Sequence, residues 1–162
     1  MAFPVLSVIV FTPMVAAVLM LLMPAEKRNE VRSVALIAAT FDLIFSGWVY
    51  IQYLVNGMTG YQFVEEYNWL PALGMKLIFG VDGMSAPLVL LTGIVMFTGV
   101  LISWGIDDKH APTGIQDRPR EFFAFLFILA SGVFGVFASL DLFMLFFFYE
   151  IAVFPMYLLI AI

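Results

Sequence analysis

The sequence predicts an all-α protein, a polytopic bundle of five transmembrane helices, and three observations predict it. The 162 residues are 64% hydrophobic and only 12% charged, where an ordinary soluble domain is about a quarter charged. The apolar residues come in five long runs, each near the ~20 residues that carry a helix across roughly 30 Å of hydrocarbon. The charges fall almost wholly between those runs. Lipid offers the backbone no hydrogen bonds, so a spanning segment must be a helix or part of a closed barrel, and a barrel would show short alternating segments instead.

The first run covers residues 3–23, "FPVLSVIVFTPMVAAVLMLLM". No Lys or Arg precedes Lys27, and the run exceeds the apolar centre of a signal peptide, so it reads as a retained membrane helix. Pro4 stands at its entrance, where a missing N–H matters little. Pro13 and Pro87 lie deeper and are expected to bend their helices. The second run covers 33–55 and the third 84–104. The fourth covers 122–140, and the fifth starts at 142 and is still running at Ile162. Trp48, Trp69 and Trp104 fall near the predicted interfaces, where aromatic belts form. The long connection over 56–83 shows no alternating strand pattern. Its mildly apolar pieces, "YNWLP" and "LGMKLIFG", are expected to lie along the membrane surface.

The connections set the orientation. Lys27, Arg28, Arg32, Lys109, Arg118 and Arg120 are six of the seven basic residues, and they share one predicted side; Lys76 is on the other. The positive-inside rule makes the richer side cytoplasmic and puts the N-terminus outside.

Several chemistries are excluded. There is no cysteine, hence no disulfide, thiolate metal site or iron–sulfur ligation. No basic stripe of the kind nucleic acid demands is present. Neither a glycine-rich phosphate loop nor a Ser-His-Asp or Cys-His arrangement appears. His110, beside Asp107, Asp108 and Lys109, reads as part of a solvated loop rather than as a metal ligand.

The carboxylates inside the runs carry the functional signal. Glu150, in "FFFYEIAVFPMYLL", lies nine residues past Asp141, about 13 Å into the membrane at ~1.5 Å per residue. An ionisable residue at that depth points to an ion or proton pathway, and the structural alternative is a buried carboxyl holding two helices together. Pro155 cannot donate to the Ile151 carbonyl. That leaves either a free acceptor where water could settle or a simple kink. Asp42, also deep in its run, reads as a peripheral interhelical contact, with a secondary intramembrane acid as the alternative. Asp82 and Asp141 stand at helix entrances and read as caps.

"GVDGMSAPLVLLTGIVMFTGVLISW" and "SLDLFMLFFFYEIAVFPMYLLIAI" closely resemble the antiporter-like subunit M, or chain 4 type, of respiratory complex I, the NADH-quinone oxidoreductase. The resemblance implies a fold of about fourteen helices with inverted repeats. Residues 1–105 would supply its first three helices and 121–162 the start of its first repeat. The whole chain, 1–162, would be a single membrane domain and the N-terminal portion of a longer protein. By the same resemblance Glu150 matches the essential fifth-helix glutamate, which in the family pairs with a lysine on a later helix in a proton path. Tyr149 stands where Trp is common, and Asp42 matches no family position.

The resemblance further implies a proton-translocating subunit of a bacterial plasma membrane complex, with electron transfer coupled to pumping. NADH, FMN, iron–sulfur clusters and quinone would lie in partner subunits, with no redox site, cofactor or metal in this chain. The L- and N-type antiporter-like subunits and the lipid bilayer would be its partners, and protons its cargo. Two alternatives stay open: a subunit of a multisubunit cation/proton antiporter, and a non-transporting membrane scaffold piece.

Overall fold

The five runs become five helices, each long and apolar enough to cross a membrane: α1 (Val5–Leu22), α2 (Arg28–Val55), α3 (Ser85–Ile102), α4 (Pro119–Ala138) and α5 (Leu142–Ala161). The computed structural model describes residues 3–105 and 118–161. The loop residues Asp107, Asp108, Lys109 and His110 lie outside the described residues. α2 begins five residues before its apolar run, in an exposed polar turn where Lys27 pairs with Glu30 at 2.9 Å. A carboxylate there suits the positive end of the helix dipole.

The prolines divide by position. Pro87 falls in the first turn of α3, not deep within it, and the carbonyl it leaves without a donor is that of exposed Gly83. Such a position removes no buried hydrogen bond. Pro13 lies buried in the middle of α1. One turn before it, the Val10 carbonyl accepts a hydrogen bond from the Ser131 hydroxyl of α4 at 2.7 Å. Neighbouring helices commonly satisfy backbone groups around a membrane proline in this way.

The 56–83 connection differs from expectation. It forms an antiparallel hairpin of β1 (Gln62–Leu70) and β2 (Met75–Val81), turned through Pro71–Leu73 and closed by Gly74 at φ 66°. Only a residue that tolerates a left-handed backbone closes this turn without strain. The register pairs Glu65 with Phe79 and Tyr67 with Leu77, but it shifts between Gln62 and Glu65 and again between Asn68 and Leu70. Each shift moves the following side chains to the other face. The bulges therefore erase the period-two pattern by which a strand is recognised. Lys76 forms an ion pair with Glu66 across the strands.

The hairpin is built into one end of the bundle. α1 starts after Pro4 with no side-chain cap of its own. The Glu65 carboxylate supplies one from 58 and 59 residues away, accepting the Leu6 N–H at 2.8 Å, the Ser7 N–H at 3.0 Å and the Ser7 hydroxyl. Unpaired donors and the helix dipole both favour an anion there. The Leu140 N–H donates to the Ile78 carbonyl at 2.9 Å, fastening β2 to the turn between α4 and α5. Phe79 is wholly buried, its ring 6.4 Å from that of Phe11 on α1 and 5.8 Å from that of Phe148 on α5. At the opposite end the Arg120 guanidinium donates to the Met23 carbonyl at 3.1 Å and caps the C-terminus of α1. The two ends thus differ chemically: Lys27, Arg28, Arg32, Arg118 and Arg120 gather at one, the hairpin at the other.

α4 and α5 pack through glycines, as close membrane helices do. A Cβ on Gly132 would lie 2.7 Å from the Ala152 nitrogen and 2.9 Å from its Cα, and one on Gly135 would strike the Phe148 ring. Gly132→Val should therefore force the helices apart and lower thermal stability in detergent by about 1–3 kcal/mol or more. Gly99→Ala, where nothing stands within 4 Å, should leave melting unchanged. Glu65→Ala should weaken hairpin docking by roughly 1.5–3 kcal/mol, read as faster amide hydrogen exchange at Leu6 and Ser7 with α3 unaffected.

Candidate functional site

Hydrocarbon gives a charge neither water nor a counterion, so any carboxylate at mid-membrane needs protein or enclosed water around it. Two carboxylates stand at such depth, Glu150 on α5 and Asp42 on α2. The structure does not bring them together. They are on different helices, Glu150 exposed on the outside of the chain and Asp42 wholly buried within it.

α5 buries one stripe, Met144, Phe148, Ala152 and Pro155, against α4. At about 100° per residue Glu150 lies roughly half a turn from that stripe. Its neighbours one turn away, Phe146, Phe147, Val153 and Phe154, are exposed with it. Toward the hairpin, Trp69 leans over this surface, its ring 6.4 Å from that of Phe143 and 5.7 Å from that of Phe147. Below Trp69, a cleft of about 270 Å³ runs between α1, the hairpin and α5, with Phe147 and Ile151 in its wall. Glu150 makes no hydrogen bond or ion pair among the described residues. Pro155 is buried on the inward stripe of α5, and the carbonyl it leaves without a helical donor is that of Ile151, the residue after Glu150.

Asp42 is not at the periphery. It belongs to the inward stripe of α2, with Ala35, Ala38, Ala39, Ser46 and Val49, and none of its surface is exposed. Neither carboxylate oxygen has a hydrogen-bond partner among the described residues. One turn on, the Ser46 hydroxyl donates to the Leu43 carbonyl at 3.0 Å. Gly93 of α3 packs so closely that a Cβ there would strike Ser46 Oγ.

The other two acids organise helix starts. Asp82 Oδ1 accepts the Ser85 N–H at 2.7 Å and the Met84 N–H at 3.0 Å, and the Asp82 N–H donates to Ser85 Oγ at 2.8 Å. This reciprocal arrangement follows the logic of a capping box. Asp141 Oδ1 accepts the Phe143 N–H at 2.9 Å at the start of α5. Sequence reasoning missed Glu65. The one signal available was negative: α1 opens with no Ser, Thr, Asp or Asn beside Pro4, so its free N–H groups required a distant acceptor.

The Ser85 N–H, above all, and the Met84 N–H hold the Asp82 carboxyl below its ordinary value of 3.8, against a smaller opposing effect of burial. A lowered folded pKa means that the cap's contribution is complete above pH 3.8 and is lost as pH falls through the folded value. Amide exchange at Met84 and Ser85, corrected for intrinsic rates, should accelerate on acidification below that point. Asp82→Ala should cost about 0.5–2 kcal/mol of local stability at neutral pH and abolish the acid step.

No family model matches the chain. It is 36% identical over 160 residues to NAD(P)H-quinone oxidoreductase chain 4 3 of Picosynechococcus sp., covering 99% of this chain and 28% of that one. It is 34% identical over 159 residues to the chloroplastic chain 4 of Chara vulgaris, covering 98% and 30%. The chain thus spans less than a third of the curated relatives it matches. Among solved structures, a chain of respiratory complex I from Thermus thermophilus superposes with a TM-score of 0.71 at 22% identity, covering 93% of this chain and 27% of that one. A chain of the membrane-bound sulfane sulfur reductase, an archaeal respiratory membrane complex, superposes with a TM-score of 0.68 at 19% identity, covering 94% and 29%. At these identities the two superpositions establish the shared fold.

Proposed function

We propose that this chain, whose homologues are chain 4 subunits of NAD(P)H-quinone oxidoreductases, is the N-terminal part of a proton-translocating membrane subunit of such a complex. The observation that carries the reading is the placement of Glu150. It stands at mid-helix on the exposed face of α5, among exposed aromatic side chains, with Trp69 of the hairpin over one end of that face. A charge at a helix centre costs a few kcal/mol against lipid, so this face is built to meet protein and the water that protein encloses. A carboxylate there takes a proton on one oxygen and gives it up to the next acceptor, and a cation brought beside it by another helix shifts the balance between the two states. The redox chemistry, with NADH, FMN, iron–sulfur clusters and quinone, belongs to partner subunits. L- and N-type antiporter-like subunits are its membrane neighbours. The basic end of the bundle faces the cytoplasm of a bacterial plasma membrane, and the hairpin end faces out.

The test is Glu150→Gln in the assembled complex. Proton uptake into sealed vesicles driven by NADH oxidation should fall by about 10-fold or more, with the amount of assembled complex unchanged and Glu150→Asp retaining part of the activity. Full pumping by Glu150→Gln would contradict the proposal. Lost assembly with normal transport per surviving complex would favour a scaffold. Sodium-dependent proton movement without quinone reduction would favour a cation/proton antiporter.

A further inference from the structure

We propose that Asp42 is a second intramembrane proton-binding site, independent of Glu150, in which the carboxyl is held as a neutral acid that exchanges its proton. Asp42 stands at the middle of the 28-residue α2. Among the described residues its surroundings contain no charge to balance an ionised carboxylate. The helices packed against α2 are α1, α3 and α4. α1 and α3 carry no ionisable side chain, and α4 carries Arg120 and Glu121 in its first turn only. Arg120 is engaged with the Met23 carbonyl, and Glu121 pairs with Arg118 at 3.5 Å and Arg120 at 3.8 Å.

On α2 itself, Arg28, Glu30 and Arg32 lie ten or more residues toward the basic end, ~15 Å or farther along the axis. Tyr50 and Tyr53 lie eight and eleven residues the other way, ~12 Å or more. Glu65, Glu66 and Lys76 belong to the hairpin at the end of the bundle, and Glu150 is on the outer face of α5.

An ion buried without a counterion costs several kcal/mol, and a group so placed neutralises instead. Binding one proton converts the carboxylate to a carboxylic acid, with no electron transfer and no other partner required. Ser46 stands one turn further along the same buried stripe of α2, out of hydrogen-bond reach of either carboxylate oxygen. The Ser46 hydroxyl spends its own hydrogen on the Leu43 carbonyl, and its oxygen keeps lone pairs free to accept. The bare Cα of Gly93 keeps the space around that oxygen open, since a Cβ would strike Ser46 Oγ. A purely structural contact would pair the carboxyl with a donor. Here neither oxygen meets one among the described residues.

Infrared difference spectroscopy on the assembled membrane complex tests this, in a Glu150→Gln background so that Glu150 does not contribute, with the Asp42 band isolated by subtracting the Asp42→Asn spectrum. The carbonyl stretch of a protonated carboxylic acid should be present at neutral pH, shift in D₂O and vanish in Asp42→Asn. Asp42→Glu, which keeps the acid should Asn impair assembly, should retain the band at a displaced frequency. A spectrum with no Asp42-dependent band would overturn the proposal. So would a band that never shifts in D₂O, which would mark a sealed structural acid, or one that appears only when sodium is withdrawn, which would mark a cation site. The result is separate from the pumping phenotype of Glu150, because the band is read where that residue is already neutral.

Discussion

Hydrocarbon supplies neither hydrogen bonds nor countercharge, and every feature of this chain answers to that constraint. It forces the five apolar runs into helices. It also makes the ends of those helices the places where polar chemistry must be arranged. The donors and acceptors left over there are met by side chains from elsewhere: Glu65 on the start of α1, Arg120 on its end, Asp82 before α3 and Asp141 before α5. The hairpin follows from the same need. It brings Glu65 to α1, fastens to the turn between α4 and α5 at Leu140 and seats Phe79 between them. The segment joining α2 to α3 thus organises helices on either side of it in the sequence.

Within the membrane the constraint acts on two carboxylates in opposite ways. Asp42 is enclosed by its own chain and lacks any partner among the described residues. Glu150 is turned away from its own chain, on a helix that buries only one narrow stripe. A lone buried acid is most economically neutral, whereas an outward acid among exposed phenylalanines calls for other protein to cover it. The glycines of α4 bear on the second case. By letting α5 lie close along its stripe, they fix which way the opposite face, with Glu150, must look.

Much of this was legible in the sequence, for a physical reason. A membrane span has a minimum length and tolerates few charges, so run length alone located all five helices and the depths of Glu150 and Asp42. What could not be read was facing. α5 is apolar on every side, so no polar stripe marks which residues turn inward. Asp42 was expected at the periphery and lies in the core, because the small residues around it, Ala35, Ala38 and Ala39, reveal close packing only once the partner helices are in place. The hairpin was hidden by its own bulges, and Glu65 by its separation of 58 positions from Ser7.

If the proposed role of Glu150 holds, the Glu150 face of α5 meets protein. Photocrosslinking tests it most directly, with Phe154 replaced by a photoreactive phenylalanine analogue in the assembled membrane complex. Phe154 is one turn from Glu150, on the same exposed face, and its replacement leaves the carboxylate intact. Crosslinks to protein are expected, whether to further helices of a longer chain or to a partner subunit. Crosslinks to lipid alone would contradict that role.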